Sequence, residues 1–251
     1  MGHGLTWEGY EEKLDTSWFH WLKDIHLVPK WVPEHTVICI IVSLVLCITV
    51  ILASKKLKMR SPGRFQAFLE FVVSSLDGFV KNIVGEKEGK TLTPIIGSFF
   101  LFILFMNLAG LIPGMLSLTA NINTTMSLAL FAFLVVQYFG ISRLGFWGYF
   151  KHFLGEPLWL CPLMFPIHVI GELAKPLSLS IRLFGNIFGE DMVIAIIAFI
   201  VLSTMGNVLI PLQFPMMLLA IFTGFVQSLV FAMLVSIYIA VSIAGHGEEH
   251  H

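Results

Sequence analysis

The chain has 251 residues, of which 57% are hydrophobic and 12% charged, whereas an average soluble domain has about 25% charged residues. Its formal net charge of −1 gives no electrostatic basis for binding nucleic acid. The cysteines Cys39, Cys47 and Cys161 are too few and too scattered for a disulfide framework or a zinc site. The composition therefore predicts one helical domain in a lipid bilayer, with no cofactor and no bound metal.

The first part of the chain contains an interfacial segment, one span and one amphipathic helix. Residues 1–35 place four tryptophans among charged side chains, which is typical of a segment lying at the outer membrane surface. Residues 36–54 are apolar and about long enough to cross the hydrocarbon core once. Residues 65–84 mix apolar side chains with charged ones, so we predict a helix on the membrane surface and not a span.

The remaining segments predict a hairpin followed by two very long helices. Residues 94–113 and 124–142 are two spans joined by an uncharged turn. Residues 166–204 and 212–244 would form helices about 60 Å and about 50 Å long, at about 1.5 Å per residue. The hydrocarbon core is only about 30 Å thick, so both helices must lie obliquely or break. The predicted fold is an all-α integral membrane domain over residues 36–245.

The distribution of basic residues predicts how the chain is oriented. Lys and Arg cluster in residues 55–64, and Arg143 and Lys151 lie in the predicted loop after the hairpin. The connections at 113–123 and 205–213 carry no charge. By the positive-inside rule the basic regions face the cytoplasm, which puts the N-terminus outside and the polar tail 246–251 inside.

A polar stripe runs along the first of the two long helices. Lys175, Ser178, Arg182, Asn186 and Glu190 recur at spacings of three, four and seven residues, which places them on one helix face. A guanidinium stays charged, and holding it at bilayer depth costs between about 2.5 and 17 kcal/mol. Such a residue indicates a functional site, because the apolar turns that follow are too long for the arginine to reach a headgroup.

Small residues lie beside this arginine. Gly171, Ser178, Gly185 and Gly189 fall within about 60° of the Arg182 direction, where they let another helix approach closely. The last helix has no Asp, Glu, His, Lys or Arg between residues 211 and 245. We therefore predict that the carboxylate opposite Arg182 belongs to another protein.

These residues resemble subunit a of the rotary F-type ATP synthase. The resemblance is carried by KPLSLSIRLFGN at residues 175–186, by NLAGLIP at residues 107–113 and by Gln227 on the last helix. It extends over about residues 36–244 and implies one N-terminal span, a surface helix, a helical hairpin and two oblique helices.

The resemblance also implies a mechanism without bond-making chemistry in this chain. Two half-channels would bring protons to and from a carboxylate on a rotating c-ring, with Arg182 facing that carboxylate. Lipid favours the protonated carboxyl, and the nearby guanidinium favours the ionised one. The implied partners are the c-ring, the peripheral-stalk b subunits and the lipid of a bacterial inner membrane. The ion is H⁺, with Na⁺ left open.

Polar residues of the two long helices are assigned to the half-channels by resemblance. The outside path comprises Asn186, Glu190, Asp191 and Gln227, and the cytoplasmic path comprises His168, Glu172, Lys175 and Ser178. Glu190 lies nearer the arginine face, whereas Asp191 matches the acid of the family by its distance along the sequence. The sequence therefore leaves open which of the two lines the path. Where many relatives carry a histidine or an acid before the glutamine, this chain has Ala220 and Thr223.

Simpler roles compete with these assignments. The amides of Asn186 and Gln227 could join two helices by a hydrogen bond, and His168 could form a satisfied pair with Glu172. The terminal histidines suit a solvated tail better than a metal site.

Two other classes of function fit the sequence less well. A haem- or quinone-binding anchor needs intramembrane histidines, of which His168 is the single candidate by position. A self-contained transporter would show repeated halves with interrupted helices, and the sequence contains no visible repeat.

Overall fold

A computed structural model describes residues 34–55, 63–112, 118–154, 161–205 and 213–244 of the chain. Over these residues the chain is helical. The helices are α1 (Glu34–Lys55), α2 (Arg64–Val84), α3 (Glu86–Gly110), α4 (Ile122–Leu154), α5 (Cys161–Met205) and α6 (Gln213–Ala244), with a short 3₁₀ turn at Leu118–Ala120.

The all-helical membrane fold predicted from the sequence is confirmed. Three helical stretches in the described ranges are long and apolar enough to cross a membrane, namely Glu86–Gly110, Ile122–Arg143 and Phe214–Ile243. The apolar part of α1 is shorter, at Thr36–Leu52. Helix α5 differs from the other long helices because six ionisable side chains of the sequence-predicted site interrupt its apolar sequence.

The two long helices are unbroken, which decides between the alternatives that their length left open. Helix α5 has 45 residues and α6 has 32, which correspond to about 67 Å and about 48 Å. A continuous helix of this length exceeds a hydrocarbon core of about 30 Å, so it must lie obliquely.

Several helix ends lie away from their predicted positions. Helix α3 begins at Glu86, two turns before the predicted start, because its charged first turns pack beneath α2. Helix α4 continues to Leu154 through much of the predicted cytoplasmic loop, interrupted by a break at Gly145 with φ 72° and ψ 160°. Helix α5 begins at Cys161 and not at residue 166.

The main core lies where α3 meets α6. Its central side chain is Phe231, which is fully buried and lies 5.8 Å from the ring of Phe99. Phe99 also contacts the ring of Phe131 on α4 at 5.7 Å. Leu179 and Leu183 bring α5 into the same core, and Val80 brings in α2. This core holds the two long helices side by side.

Helix α1 is attached by a second, smaller cluster. Ile38 and Val42 are buried against Met106 of α3 and Leu118 of the 3₁₀ turn. Beyond these first turns the apolar side chains of α1 are exposed, as on a surface that lipid solvates. The helix therefore contacts the domain at one end.

A polar link fixes the corner between α2 and α3. Lys81 and Thr93 both donate hydrogen bonds to Asp77, the latter at 2.9 Å, and together they hold the pKa of Asp77 below its ordinary value. Because the folded-state pKa is lowered, this stabilisation is present above the ordinary aspartate pKa and is lost as the pH falls through the lowered one. The chain turns at Gly85, whose φ is 94°.

Some sequence predictions fall outside the described residues. They concern the interfacial segment at residues 1–33, residues 56–62 of the basic cluster, the turn at 113–117, the connection at 206–212 and the tail at 245–251.

We predict that Gly89→Ala destabilises the fold because a Cβ at that position would lie 2.6 Å from Lys81 Cγ and 3.1 Å from its Cα. Overpacking of this kind costs about 1–3 kcal/mol. The matched control is Gly97→Ala, since a Cβ there meets nothing within 4 Å. Thermal unfolding of the purified variants in detergent gives the measurement, and equal midpoints for both would contradict the close α2–α3 packing.

Candidate functional site on α5

Arg182 lies at the border between the packed and the free face of α5. Its neighbours Leu179 and Leu183 are buried in the core, at 3% and 0% exposure. Arg182 itself is exposed. Its guanidinium makes no ion pair with any carboxylate in the described ranges. The arrangement leaves a permanent cation available to a group outside the described chain.

The face beside Arg182 is free of other helices within the described domain. Gly171, Ser178, Gly185 and Gly189 are all exposed, as their helical spacing predicts. A Cβ built on any of the three glycines would meet nothing within 4 Å. These glycines therefore leave room along α5 that no described segment of this chain fills.

Gly224 of α6 shows what a glycine does when it serves packing inside the chain. A Cβ there would lie 3.1 Å from Cβ of Asn107 on α3. The Asn107 amide donates to the Gly224 carbonyl at 3.1 Å and accepts from Thr119 at 2.9 Å. Gly224 lets α3 approach α6, whereas the glycines of α5 let in no described neighbour.

The predicted amides of the outside path meet across α5 and α6. Asn186 Nδ2 donates to Gln227 Oε1 at 2.8 Å. Gln227 is 4% exposed, while Asn186 lies one turn beyond Arg182 at the edge of the free face. The hydrogen bond joins the helices, which is the simpler role, and it also places an amide pair beside the arginine.

The two acids of the predicted outside path have different surroundings. Both Glu190 and Asp191 are half-buried. One carboxylate oxygen of Glu190, Oε1, is buried without a hydrogen-bond partner in the described structure. A buried carboxylate oxygen without a donor is costly, so this position is suited to a group that exchanges protons.

The residues predicted for the cytoplasmic path do not form one group. Glu172 is ion-paired with Lys175 and accepts a hydrogen bond from Gln137 Nε2 of α4 at 3.1 Å. The Lys175 ammonium lies 5.5 Å from the ring centre of Tyr238 on α6. His168 is half-buried one turn before Glu172. Ser178, one turn after Lys175, is exposed on the free face and makes no side-chain hydrogen bond to this group among the described residues.

Sequence reasoning missed Gln137 and Tyr238. Each lies in a mostly apolar stretch of its helix, and neither belongs to a periodic polar pattern. The available signal was the presence of an amide and a phenol at membrane depth, where polar groups are expected to find partners. Among the described residues no group of three or more His, Cys, Asp or Glu is placed to hold a metal ion.

Comparison with known proteins adds the family to this geometry. The family model of the ATP synthase A chain matches residues 36–240. ATP synthase subunit a of Syntrophobacter fumaroxidans is similar, with 46% identity over 192 residues, 76% of this chain and 77% of that protein.

More distant relatives match over a larger part of the chain. ATP synthase subunit a of Geobacter sulfurreducens is 43% identical over 210 residues, 83% of this chain and 86% of that protein. The protein of the same name from Protochlamydia amoebophila is 34% identical over 239 residues, 92% of this chain and 86% of that protein.

Proposed function

The chain belongs to the ATP synthase A chain family, and on this premise we propose that the free face of α5 around Arg182 lies against the rotating c-ring. Members of this family are non-catalytic membrane subunits of the proton-transporting sector of the synthase. The observation that carries the proposal is an exposed, unpaired guanidinium beside glycines that contact no described neighbour.

Arg182 would act on the ring carboxylate by charge alone. A carboxyl group facing lipid is protonated, because burial disfavours its charge. When rotation brings it within a few ångströms of the guanidinium, the ionised form is favoured and the proton leaves. Arg182 would also repel a proton passing directly between the half-channels, so proton flow is coupled to rotation. The membrane potential contributes about 2.3 kcal/mol per charge per 100 mV.

For the outside half-channel we propose Asn186, Gln227 and Glu190. The hydrogen-bonded amides lie next to Arg182, and the partnerless Oε1 of Glu190 lies one turn further along α5. This observation favours Glu190 over Asp191 as the acid that exchanges protons with the outside.

For the cytoplasmic half-channel we propose a route that begins at Ser178 on the free face. The group around His168, Glu172 and Lys175 borders it on the side of α4 and α6. An ion-paired carboxylate conducts protons less readily than a free one, so the contribution of Glu172 and Lys175 to this route is electrostatic.

The proposed surroundings follow from the family and from the charge pattern. The protein would assemble with the c-ring and the peripheral-stalk b subunits in a bacterial inner membrane. The N-terminus would lie outside and the C-terminus in the cytoplasm. The transported ion is proposed to be H⁺, and Na⁺ is the alternative because the ion site belongs to the ring.

We expect Arg182→Ala to abolish ATP-driven proton pumping while the complex still assembles, because the exposed guanidinium bonds no other helix among the described residues. Arg182→Lys should also fail, since an ammonium lacks the planar fork and can lose its proton when buried. Dye quenching in inverted membrane vesicles measures pumping. A wild-type rate in either assembled variant would contradict the mechanism.

Substitutions at the acid pair should have unequal effects. Glu190→Gln preserves volume but removes the exchangeable carboxyl, so it should slow pumping strongly, whereas Asp191→Asn should slow it less. The same vesicle assay, normalised to assembled complex, gives the comparison. A larger loss for Asp191→Asn would transfer the role to that residue, and negligible losses for both would remove the pair from the path.

The orientation of α5 can be tested by disulfide cross-linking. Cysteines at Gly185 or Gly189 should link to cysteines near the ring carboxylate, because both positions lie within about 60° of Arg182. A cysteine at Leu177 is the control, since this side chain is 47% exposed but points about 140° away. Ile187 is unsuitable as a control because it is 5% exposed. Equal linking from Leu177 would show that another face meets the ring.

A further inference from the structure

Helix α5 carries two cations on one side. Lys175 precedes Arg182 by seven residues, which places the two Cα atoms within about 20° of the same direction and about 10 Å apart along the axis. Both lie in the stretch that faces the ring in the proposed function. A carboxylate moving along this stretch would be attracted by each cation that is not neutralised.

The structure treats the two cations differently. Lys175 is ion-paired with Glu172, and both side chains are 23% exposed. Arg182 is exposed and has no carboxylate partner among the described residues. The charge of one cation is therefore compensated within the chain, and that of the other is not.

The compensating pair is held by two further helices. Gln137 of α4 donates to Glu172 Oε2 at 3.1 Å, while Lys175 bonds the other carboxylate oxygen. Tyr238 of α6 presents its ring to the Lys175 ammonium at 5.5 Å from the ring centre, within the range of a cation–π contact. These contacts draw Lys175 toward α4 and α6 and away from the free face.

We propose that Glu172, positioned by Gln137 and assisted by Tyr238, neutralises Lys175 so that Arg182 is the sole cation of α5 that attracts the ring carboxylate. This inference rests on the proposed function and deepens it. Glu172 is a positioning residue here, because it acts on the moving carboxylate through Lys175.

The size of the effect follows from the distance between the two cations. At about 10 Å and an effective dielectric constant of about 20, one unit charge changes the occupancy of a carboxylate site by roughly tenfold. An uncompensated Lys175 would therefore hold the carboxylate before it reaches Arg182, or retain it afterwards. Glu172→Gln should lower the pumping rate by roughly tenfold in the assembled complex.

Charge rescue separates this role from a structural one. Adding Lys175→Gln to Glu172→Gln removes the cation that Glu172 no longer neutralises, so the double variant should recover most of the lost rate. Glu70→Gln is the control for loss of a carboxylate elsewhere, since Glu70 is exposed on α2 and bonded to Gln66. It should pump as the parent does.

The experiment uses the whole synthase in inverted vesicles, with rates normalised to assembled complex. A parental rate for Glu172→Gln overturns the inference, and so does a double variant as slow as the single one. If Glu172→Gln does not assemble, the exchanged pair Glu172→Lys with Lys175→Glu takes its place. A rate near that of the parent then supports the inference, and a tenfold loss overturns it.

Arg182→Ala in the same assay shows which proposal has failed. If Arg182→Ala still pumps protons, the proposed function itself is contradicted. If Arg182→Ala does not pump while Glu172→Gln pumps at the parental rate, this inference fails and the proposed function stands.

Discussion

The arrangement depends on a guanidinium that no described carboxylate of its own chain neutralises. A charge at membrane depth is tolerated where water, a partner or a counter-ion reduces its cost. The domain therefore keeps Arg182 at the edge of α5 while Leu179 and Leu183, on the adjacent side of the helix, fill the core. The packed side of α5 therefore holds Arg182 in place, and the free face on its other side stays open among the described residues.

The packing of the long helices follows from the same requirement. In lipid, helices gain little from burying apolar surface against each other, so close contact and polar links hold them together. Asn107 links α3 to α6, the Asn186–Gln227 bond links α5 to α6, and Ser180 donates to Thr125 of α4 at 3.3 Å. Two of these links lie on packed sides and the third, at Asn186, lies at the edge of the free face of α5, so the described residues leave most of that face open.

The sequence predicted the helices well, because hydrophobic length and helical spacing are local properties, and the same spacing predicted that the small residues beside Arg182 share one exposed side of α5. It predicted helix ends poorly where charged turns still pack, as at Glu86, and where a helix resumes after a break, as beyond Gly145. It also treated Lys175 through Glu190 as one stripe, whereas the structure turns the Lys175 and Glu190 ends partly inward. The partners Gln137 and Tyr238 depend on how three helices come together, which no spacing along one helix contains.

In the part of the chain that the structure describes, two glycines have positive φ, and an ion pair brings their surroundings together. Gly85 has φ 94° and ψ 156°, and Gly145 has φ 72° and ψ 160°. Both lie in a backbone region that is essentially restricted to glycine. The Glu88–Arg143 ion pair joins the chain near one corner to the chain near the other. A residue with a side chain at Gly85 or Gly145 would change the direction of the helix that follows. A substitution there would therefore lower the amount of protein inserted in the membrane. Each complex that does assemble would still conduct at its full rate. The variant would therefore lower the number of complexes in the membrane and not the rate of each one.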